Sequence, residues 1–472
     1  MVREADWKRV FLGLYLALGL LGLVSFAPFQ APDEIGHLLR ACAVSEGQLV
    51  AETRPGTREA GALQAALKGW PPEAQKTDEF VPLLGEGTWV RHIRWLSFYG
   101  WQQAGSFREL EVDESAREFC NVPTLALYAP TNYAVPALGI LLVRPFTDKL
   151  LAYLYAGRLL NWLAAGLCLY VAVSLAPRRW RMLWIAVALV PMNLQEYFSL
   201  APDGLAFAFS ALFLALVLHG RQQGRLSAPS LIFLYILAGL IALSKIVYLP
   251  LVLTACLLPP SCFGSVQRRW LCLLGLGAFA LALNLAWLKV AAHILAVAAP
   301  PWSDPGVQKA FVLGEPLSYL GVLARTFMAK GTAYVWQMLG GELGWFTIHI
   351  SHFVLALYGG LLLLGGLGSR AQEAGLPIGP GSRLLLLALV IGETVLIGTA
   401  LYVQWTPPHA SLIDGIQGRY FLPLLLPLGL ALLPAAGSPL LSGRAGQHLW
   451  ALALGLTAGT ALLQGAAWNL GL

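Results

Sequence analysis

The run VFLGLYLALGLLGLVSFA occupies residues 10–27, and PFQAPDEIGHLLRACAVSEG follows it directly at residues 28–47. An uncharged apolar run of this length is long enough to cross the hydrocarbon core of a membrane. Basic residues precede the run and no small-residue cleavage site follows it. We therefore interpret it as an uncleaved first transmembrane helix rather than a signal peptide. The acidic pair Asp33-Glu34 lies just outside this helix.

The composition extends this interpretation to the whole chain. Of the 472 residues, 57% are hydrophobic and 12% are charged, whereas soluble globular proteins carry about 25% charged residues. The net charge of +6 comes from short basic clusters beside apolar runs, where they set membrane topology. A nucleic-acid-binding protein would gather them into one polar stripe. We expect a polytopic membrane protein whose partners include membrane lipids and no nucleic acid.

The positive-inside rule gives the order and direction of the spans. After the first helix, we predict spans at residues 150–176, 182–198, 204–218, 231–243, 246–258, 270–290, 353–367, 384–405, 420–434 and 448–468. With the N-terminus in the cytoplasm, every short inner loop contains arginine. The predicted fold is a single all-α integral membrane domain over residues 1–472. It has about eleven transmembrane helices and no soluble C-terminal domain.

Four segments are predicted to lie on the outer side, at residues 30–132, 193–203, 291–351 and 406–418. The first contains Trp89, Trp95 and Trp101, and the third contains Trp336, so we expect both to form interfacial helices on the membrane surface. The short apolar run Tyr133–Phe146 is interpreted as a re-entrant or interfacial helix, because a span there would invert the arginine pattern.

The six cysteines show no CxxC metal-binding pattern. Cys42 and Cys120 both fall in the first outer segment. A disulfide between them is one alternative in an oxidising compartment, and two thiols are the other.

The acidic pair begins a predicted helix, because Pro32 and the acids after it are a helix-start signal. In this helix Asp33, His37 and Arg40 lie at i, i+4 and i+7, which places them on one face, while Glu34 points elsewhere. One interpretation is a capped helix end with a favourable dipole. The other is an ionisable surface that carries chemistry outside the membrane.

Two further outer turns contain charged residues. Glu196 and Asp203 flank a tight turn between apolar runs, although Pro-Asp-Gly at residues 202–204 is also a common turn former. Lys245 separates two short apolar runs near the outer surface. It is interpreted either as a snorkelling side chain or as a contact for a lipid phosphate.

Arg419 begins a span on its outer side, where the positive-inside rule disfavours arginine. Its position predicts a negative partner, either a carboxylate or a bound phosphate. The alternative is an interfacial anchor beside Tyr420. The chain contains no HExxH motif at His349 or His352, no Walker loop, no GxGxxG and no GxSxG, so cytoplasmic nucleotide chemistry is not expected.

Four motifs together resemble a bacterial polytopic membrane family long classed as a domain of unknown function. They are P-D-E-x-x-H-x-x-R-A at residues 32–41, S-x-G at 45–47, P-D-G at 202–204 and Q-G-R-Y-F at 417–421. That family looks like a branch of the GT-C glycosyltransferases. In that superfamily an acid at the outer end of the first helix is the proposed base or metal contact, and a second acid lies in the next outer turn.

The resemblance implies a GT-C-like bundle with its active site on the outer face of a bacterial inner membrane. The catalytic residues it implies are Asp33, Glu34 and Asp203. The implied substrate-binding residues are His37, Arg40, Glu196, Lys245, Gln417, Arg419 and Tyr420. Asp33 and Asp203 are also the candidate ligands of a divalent cation, Mg²⁺ or Mn²⁺.

The expected function is transfer of a sugar from a polyprenyl-phosphate donor to an extracytoplasmic glycan or lipid acceptor. One alternative is an O-antigen-type ligase or polymerase with a pyrophosphate-linked glycan, in which His37, His349 and Arg419 would act. Another is a lipid or glycan transporter, suggested by the intramembrane charges Arg158, Lys289 and Glu393. A structural membrane subunit is the fourth alternative.

Overall fold

The computed structural model describes residues 6–57, 60–68, 105–108, 110–368, 378–434, 438–441 and 443–471. Most of these residues are helical. The α-helices are α1 Trp7–Ser25, α2 Glu34–Ser45, α3 Gly105–Arg108, α4 Pro123–Ala126, α5 Ala134–Val143, α6 Leu150–Leu175, α7 Arg181–Ala188, α8 Pro191–Tyr197, α9 Asp203–Gln223, α10 Ala228–Ser244, α11 Val266–Val290, α12 Ala292–Leu295, α13 Pro305–Gly314, α14 Pro316–Leu339, α15 His352–Leu367, α16 Pro380–Gln404, α17 Leu425–Leu432 and α18 Arg444–Leu470. Short 3₁₀ helices occupy Pro130–Asn132, Arg178–Trp180, Ile246–Leu257, Pro260–Cys262, Gly418–Leu424 and Pro439–Leu441.

Within the described ranges, five helices are long and apolar enough to cross a membrane: α6, α9, α11, α16 and α18. The remaining predicted spans coincide with α1 and with shorter helices. Lipid-facing positions are recognisable on the outer helices, since Leu271 and Leu274 of α11 are 70% and 67% exposed and a soluble protein would not leave such a face uncovered. The described part of the chain is therefore a helical membrane bundle, whereas the count of about eleven spans stays a prediction.

Helix α9 lies at the centre of this bundle. In its most apolar stretch, 89% of the residues are buried within the protein. Helices α7 and α8, which precede it in the chain, are also buried apart from Arg181 at the start of α7. The first residue of α9 is Asp203. A charged side chain thus lies at one end of the most buried helix.

Three predicted spans are not continuous α-helices. One of them, residues 420–434, begins in the 3₁₀ helix Gly418–Leu424 and continues as α17. The segment 182–198 divides into α7 and α8, with Pro191 as the first residue of α8, because proline has no N–H to continue the preceding helix. The segment 246–258 is a 3₁₀ helix of 12 residues with Pro250 inside it. Runs of 3₁₀ helix this long are uncommon.

The first outer segment departs from the all-helical expectation. Besides α2, it contains a three-stranded antiparallel sheet of β1 Glu52–Thr53, β2 Ala60–Lys68 and β3 Glu111–Asn121. The predicted interfacial helix around Trp89–Trp101 lies outside the described residues. Helix α5 has 10 residues and is about 15 Å long. By itself it is too short to span a bilayer of about 30 Å, and the interpretation of Tyr133–Phe146 as a re-entrant or interfacial helix stays a prediction.

The third outer segment, residues 291–351, is mostly helical rather than a loop. It contains α12, α13 and the 24-residue helix α14, followed by a hairpin of β4 Glu342–Leu343 and β5 Ile348–His349.

Candidate functional site

Four charged residues from distant parts of the sequence meet at the start of α9. The Lys245 ammonium lies 2.5 Å from Asp203 Oδ1, and Arg419 Nη1 lies 3.7 Å from Glu196 Oε1. Glu196 comes from α8, Lys245 follows the last residue of α10, and Arg419 lies in the 3₁₀ helix Gly418–Leu424. All four side chains are largely or completely buried. We call these four residues the charged cluster.

Aromatic rings surround the two cations. The Tyr420 ring centroid is 4.5 Å from Lys245 Nζ and 5.6 Å from Arg419 Cζ. The rings of Tyr128 and Tyr248 lie about as far on other sides of the ammonium, at 6.0 and 5.9 Å. Rings at these distances attract a cation through their electron-rich faces. They hold Lys245 in place without adding negative charge.

His37 and Asp33 border the charged cluster from the side of α2. His37 Nδ1 lies 2.9 Å from the Tyr133 hydroxyl, and its ring is 6.2 Å from that of Tyr128. Burial lowers the pKa of His37 to about 4, while the carboxylates of Asp33 and Asp203 oppose this shift. Because the charges of Asp33, Asp203, Lys245 and Arg419 all act on His37, α2 brings Asp33 to the same site.

Asp33 itself does not lie in the first turn of the helix, as the sequence suggested. The helix begins at Glu34, and Asp33 precedes it with a left-handed backbone, φ 61° and ψ 11°. The His37 amide still donates to the Asp33 carbonyl at 3.0 Å, so the i, i+4 relation holds. Asp33 is partly exposed, in contrast to Asp203 and Glu196. It is the acid of the site that an incoming molecule can reach.

Arg40 does not share the site with Asp33 and His37. Its guanidinium donates to the carbonyls of Gln48 and Leu49, at 2.8 and 2.5 Å. These two carbonyls lie just after the end of α2, so the bonds tie the following loop back to the helix. These described bonds of Arg40 are structural, and the substrate-binding role expected of it stays a prediction.

Glu34 is also occupied elsewhere. Its two carboxylate oxygens accept from Arg158 Nε at 2.8 Å and from Arg158 Nη2 at 2.5 Å. Both side chains are essentially unexposed. This bidentate pair fixes Glu34 on Arg158 of α6, and the catalytic role expected of Glu34 stays a prediction.

Several buried polar atoms beside the charged cluster have no hydrogen-bond partner among the described residues. They are Arg419 Nε and Nη1, Glu196 Oε2 and Gln417 Oε1. The substrate-binding role expected of Gln417 stays a prediction. Leaving such groups unsatisfied costs about 1–3 kcal/mol each, and more for charged groups. The Arg419 donors are suited to bind the oxygens of an anionic ligand, whereas the Glu196 and Gln417 oxygens can only accept from donors such as hydroxyl groups.

A resident divalent cation does not fit these residues well. Asp33 and Asp203 are the two candidate ligands, and the Lys245 ammonium already neutralises Asp203. In the described part of the chain, no group of three or more His, Cys, Asp or Glu side chains is arranged to hold a metal. Mg²⁺ takes six oxygen ligands and Mn²⁺ also favours carboxylates, so two acids, one of them paired, form a poor site.

Three tyrosines around the site were not predicted from the sequence. Tyr128, Tyr133 and Tyr248 all lie close to charged groups of the site, but no motif contains them. Tyr248 could have been found because it lies three residues after Lys245, which puts both on one side of a helical turn. His349, considered for the ligase alternative, is exposed on the β4–β5 hairpin.

The cavity described in this structure lies away from the charged cluster. A cavity of about 670 Å³ lies near the end of α16, lined mainly by small apolar residues together with Trp302, Lys309 and Gln404. No residue of the charged cluster lines this cavity.

One comparison with known proteins gives a match. A family model described as "Predicted membrane protein (DUF2142)" matches residues 16–428. This range includes α2, the charged cluster and the segment around Arg419. No curated protein and no solved structure matches the chain.

Proposed function

We propose that this chain, which belongs to the DUF2142 family of predicted membrane proteins, is a membrane glycosyltransferase. It moves a sugar from a polyprenyl-phosphate donor to a hydroxyl group of a glycan or lipid acceptor outside the membrane. The proposal is supported by two buried ion pairs, Asp203–Lys245 and Glu196–Arg419. They lie beside Asp33, which is partly exposed.

The proposed reaction needs a base for the acceptor and cations for the departing phosphate. Asp33 accepts the proton of the acceptor hydroxyl as the oxygen bonds to the anomeric carbon. The bond from that carbon to the phosphate oxygen breaks, and its electron pair leaves with the polyprenyl phosphate. Arg419 and Lys245 stabilise the negative charge on this leaving group, because preorganised cations in a buried site act where charge develops.

Each residue of the charged cluster has a separate task in this scheme. Asp203 holds the Lys245 ammonium at 2.5 Å. Glu196 orients Arg419 through Nη1 and leaves its Nε group without a hydrogen-bond partner among the described residues. Tyr420, whose ring lies against both cations, keeps them close together. His37 stays neutral because burial lowers its pKa to about 4, so it adds no charge that would compete for the phosphate.

The test is sugar transfer by the purified protein in lipid nanodiscs, with a panel of polyprenyl monophosphate hexoses as donors. We expect Asp33→Asn to lower kcat by about 100- to 10,000-fold, the range for loss of a general base. Asp414→Asn is the matched control. It removes an exposed acid whose partner is Lys330 at 3.3 Å, and we expect it to leave the rate unchanged.

Three results would contradict the proposal in different ways. Undiminished turnover by both Asp33→Asn and Asp203→Asn excludes the mechanism. Transfer only from a pyrophosphate-linked oligosaccharide favours a ligase or polymerase instead. Movement of the labelled lipid across the bilayer without a chemical change favours a transporter.

A further inference from the structure

We propose that the buried Arg158–Glu34 ion pair positions Asp33, so that Arg158 and Glu34 act on the reaction through the backbone that carries this acid. The inference rests on the proposed function for its effect on catalysis. Its effect on the backbone is independent of any activity.

Arg158 directs every described hydrogen bond of its guanidinium to one short turn. Nε and Nη2 donate to the two oxygens of Glu34 at 2.8 and 2.5 Å. Nη1 donates to the Phe26 carbonyl at 3.1 Å, and Nη2 donates also to the Ala27 carbonyl at 2.9 Å. Phe26 follows the last residue of α1, and Glu34 begins α2. The arginine, which belongs to α6, thus fastens both ends of the connection between the first two helices.

The fastened connection has an unusual backbone. Phe29 and Asp33 both have φ 61°, in the left-handed region that residues with side chains rarely adopt. A residue held in this region costs on the order of 1–3 kcal/mol and persists only where its surroundings fix it. Asp33 immediately precedes Glu34. Fixing the Glu34 carboxylate therefore fixes the peptide that determines where the Asp33 side chain points.

Net stability alone does not account for this pair. Arg158 and Glu34 are 1% and 0% exposed, and replacing a buried ion pair by apolar residues is often neutral or stabilising. What the pair adds is geometry, since the planar guanidinium binds a carboxylate in two-pronged fashion and reaches two carbonyls at once. A catalytic group misplaced by about 1 Å loses on the order of 100-fold in rate.

The test compares Arg158→Lys and Arg158→Met with Arg383→Met. Arg383 is a matched control, because it also joins two elements by donating to backbone carbonyls, those of Ala431 and Leu433. Amide hydrogen exchange of residues 27–37 should rise in Arg158→Met, rise less in Arg158→Lys, and stay unchanged in Arg383→Met. In transfer assays we expect kcat to fall about 10- to 100-fold in Arg158→Met, with a donor KM within about twofold of the wild type.

The two readouts separate the two proposals. If the wild type transfers no sugar but exchange rises only in the Arg158 variants, the proposed function fails and the positioning of the turn stands. If exchange in residues 27–37 is unchanged in Arg158→Met, the inference is overturned whatever the activity. It is also overturned if Arg383→Met loses as much kcat as Arg158→Met at an equal loss of thermal stability.

Discussion

At the scale of single residues, the contact between Asp203 and Lys245 is the most consequential one in the charged cluster. Both groups are mostly removed from solvent, with side chains 5% and 12% exposed, and each neutralises the other. Desolvation of two charges consumes much of their attraction, so the pair contributes little net stability while either residue alone is costly. In such a pair, the effects of mutating the two residues on the free energy of unfolding are strongly non-additive.

We therefore expect Lys245→Met to lower the free energy of unfolding by about 3 kcal/mol, because it leaves the Asp203 carboxylate buried without its ammonium. The double variant Asp203→Asn with Lys245→Met should recover most of this loss. Denaturant unfolding in detergent measures both, and Asp414→Asn with Lys330→Met is the exposed control pair, with coupling below about 1 kcal/mol. Additive losses in the buried pair would contradict the assigned contact.

His37 gives a prediction of pH dependence. Burial lowers its folded-state pKa to about 4 from the ordinary value of 6.5. Between these two values the unfolded chain binds a proton that the folded protein does not. Stability contributed by neutral His37 is complete above pH 6.5 and is lost as the pH falls toward 4. The lowered pKa corresponds to about 3 kcal/mol.

The measurement for His37 is the pH dependence of unfolding between pH 7 and pH 4, compared with that of His37→Gln. We expect the wild type to lose stability more steeply than the variant over this range. His409→Gln serves as the control, because His409 is exposed and its replacement should leave the slope unaltered. Equal slopes in the wild type and His37→Gln would show that His37 is not held neutral.

The sequence indicated some of these residues for a sound physical reason. Arg419 violates the positive-inside rule, and the structure places it 3.7 Å from a carboxylate of Glu196. Glu34 was assigned to the site as the acid adjacent to Asp33 in the family resemblance, and Arg40 because it shares a predicted helix face with Asp33 and His37. Their actual partners are Arg158 and two loop carbonyls. Partners more than a hundred positions away in the chain, such as Arg158, leave no local pattern around Glu34.

At the scale of elements, hydropathy located the apolar segments but not their internal breaks. The division between α7 and α8, and the 3₁₀ helix around Pro250, both leave apolar composition unchanged. These irregular elements contribute to the site: α8 carries Glu196, and Lys245 immediately precedes the 3₁₀ helix. If either segment were one continuous α-helix, its charged side chain would point in a direction fixed by the 100° turn per residue. The breaks allow Glu196 and Lys245 to point toward the start of α9.

Glu393 gives the prediction for helix α16. It is completely buried, and neither of its carboxylate oxygens has a hydrogen-bond partner within the described ranges. A buried polar group without a partner costs about 1–3 kcal/mol. We therefore expect Glu393→Leu to raise the free energy of unfolding by about 1–2 kcal/mol, and Glu393→Gln to raise it less, with sugar transfer retained in both.

Thermal unfolding in detergent, read together with the transfer assay, decides the role of Glu393. Loss of stability in both variants would mean that a partner for the carboxylate exists in the folded protein. Normal stability with loss of lipid movement in liposomes would instead support the transporter alternative, since intramembrane acids commonly mark transport pathways.

At the scale of the whole molecule, the described contacts separate the predicted inner and outer segments. Arginines of predicted inner loops donate to backbone carbonyls of other predicted inner ends: Arg179 to Pro434 at 2.9 Å, Arg221 to Leu257 at 3.0 Å, and Arg269 to Leu258 at 2.8 Å. These bonds satisfy carbonyls that helix ends leave open. The charged cluster joins residues from predicted outer turns in the same way. Such segregation is what the predicted topology requires.

The sequence did not predict that the outer turns come together in one cluster. Alternation of basic loops gives the side of the membrane on which a residue lies, but not which of the helices are neighbours. Helix order in the bundle depends on packing between surfaces that are apolar throughout, as in α9, where no polar face marks a direction. Hence Asp203 and Arg419 were predicted to lie on one side, and their placement in one cluster came only from the fold.

The last prediction concerns the orientation of this bundle in the membrane. Single cysteines are introduced, in a cysteine-free background, at two exposed positions of opposite predicted side, Arg225→Cys and His409→Cys. If the charged cluster faces outward, a membrane-impermeant thiol reagent applied to intact cells should label His409→Cys and should label Arg225→Cys only after the membrane is permeabilised.

The reverse pattern would place Asp33 and Arg419 on the cytoplasmic side. A polyprenyl-phosphate donor would then have to be used before it crosses the membrane, and the acceptor would have to be cytoplasmic. Labelling of both positions in intact cells would rule out the predicted number of spans between them, because an odd number of crossings must separate residues 225 and 409.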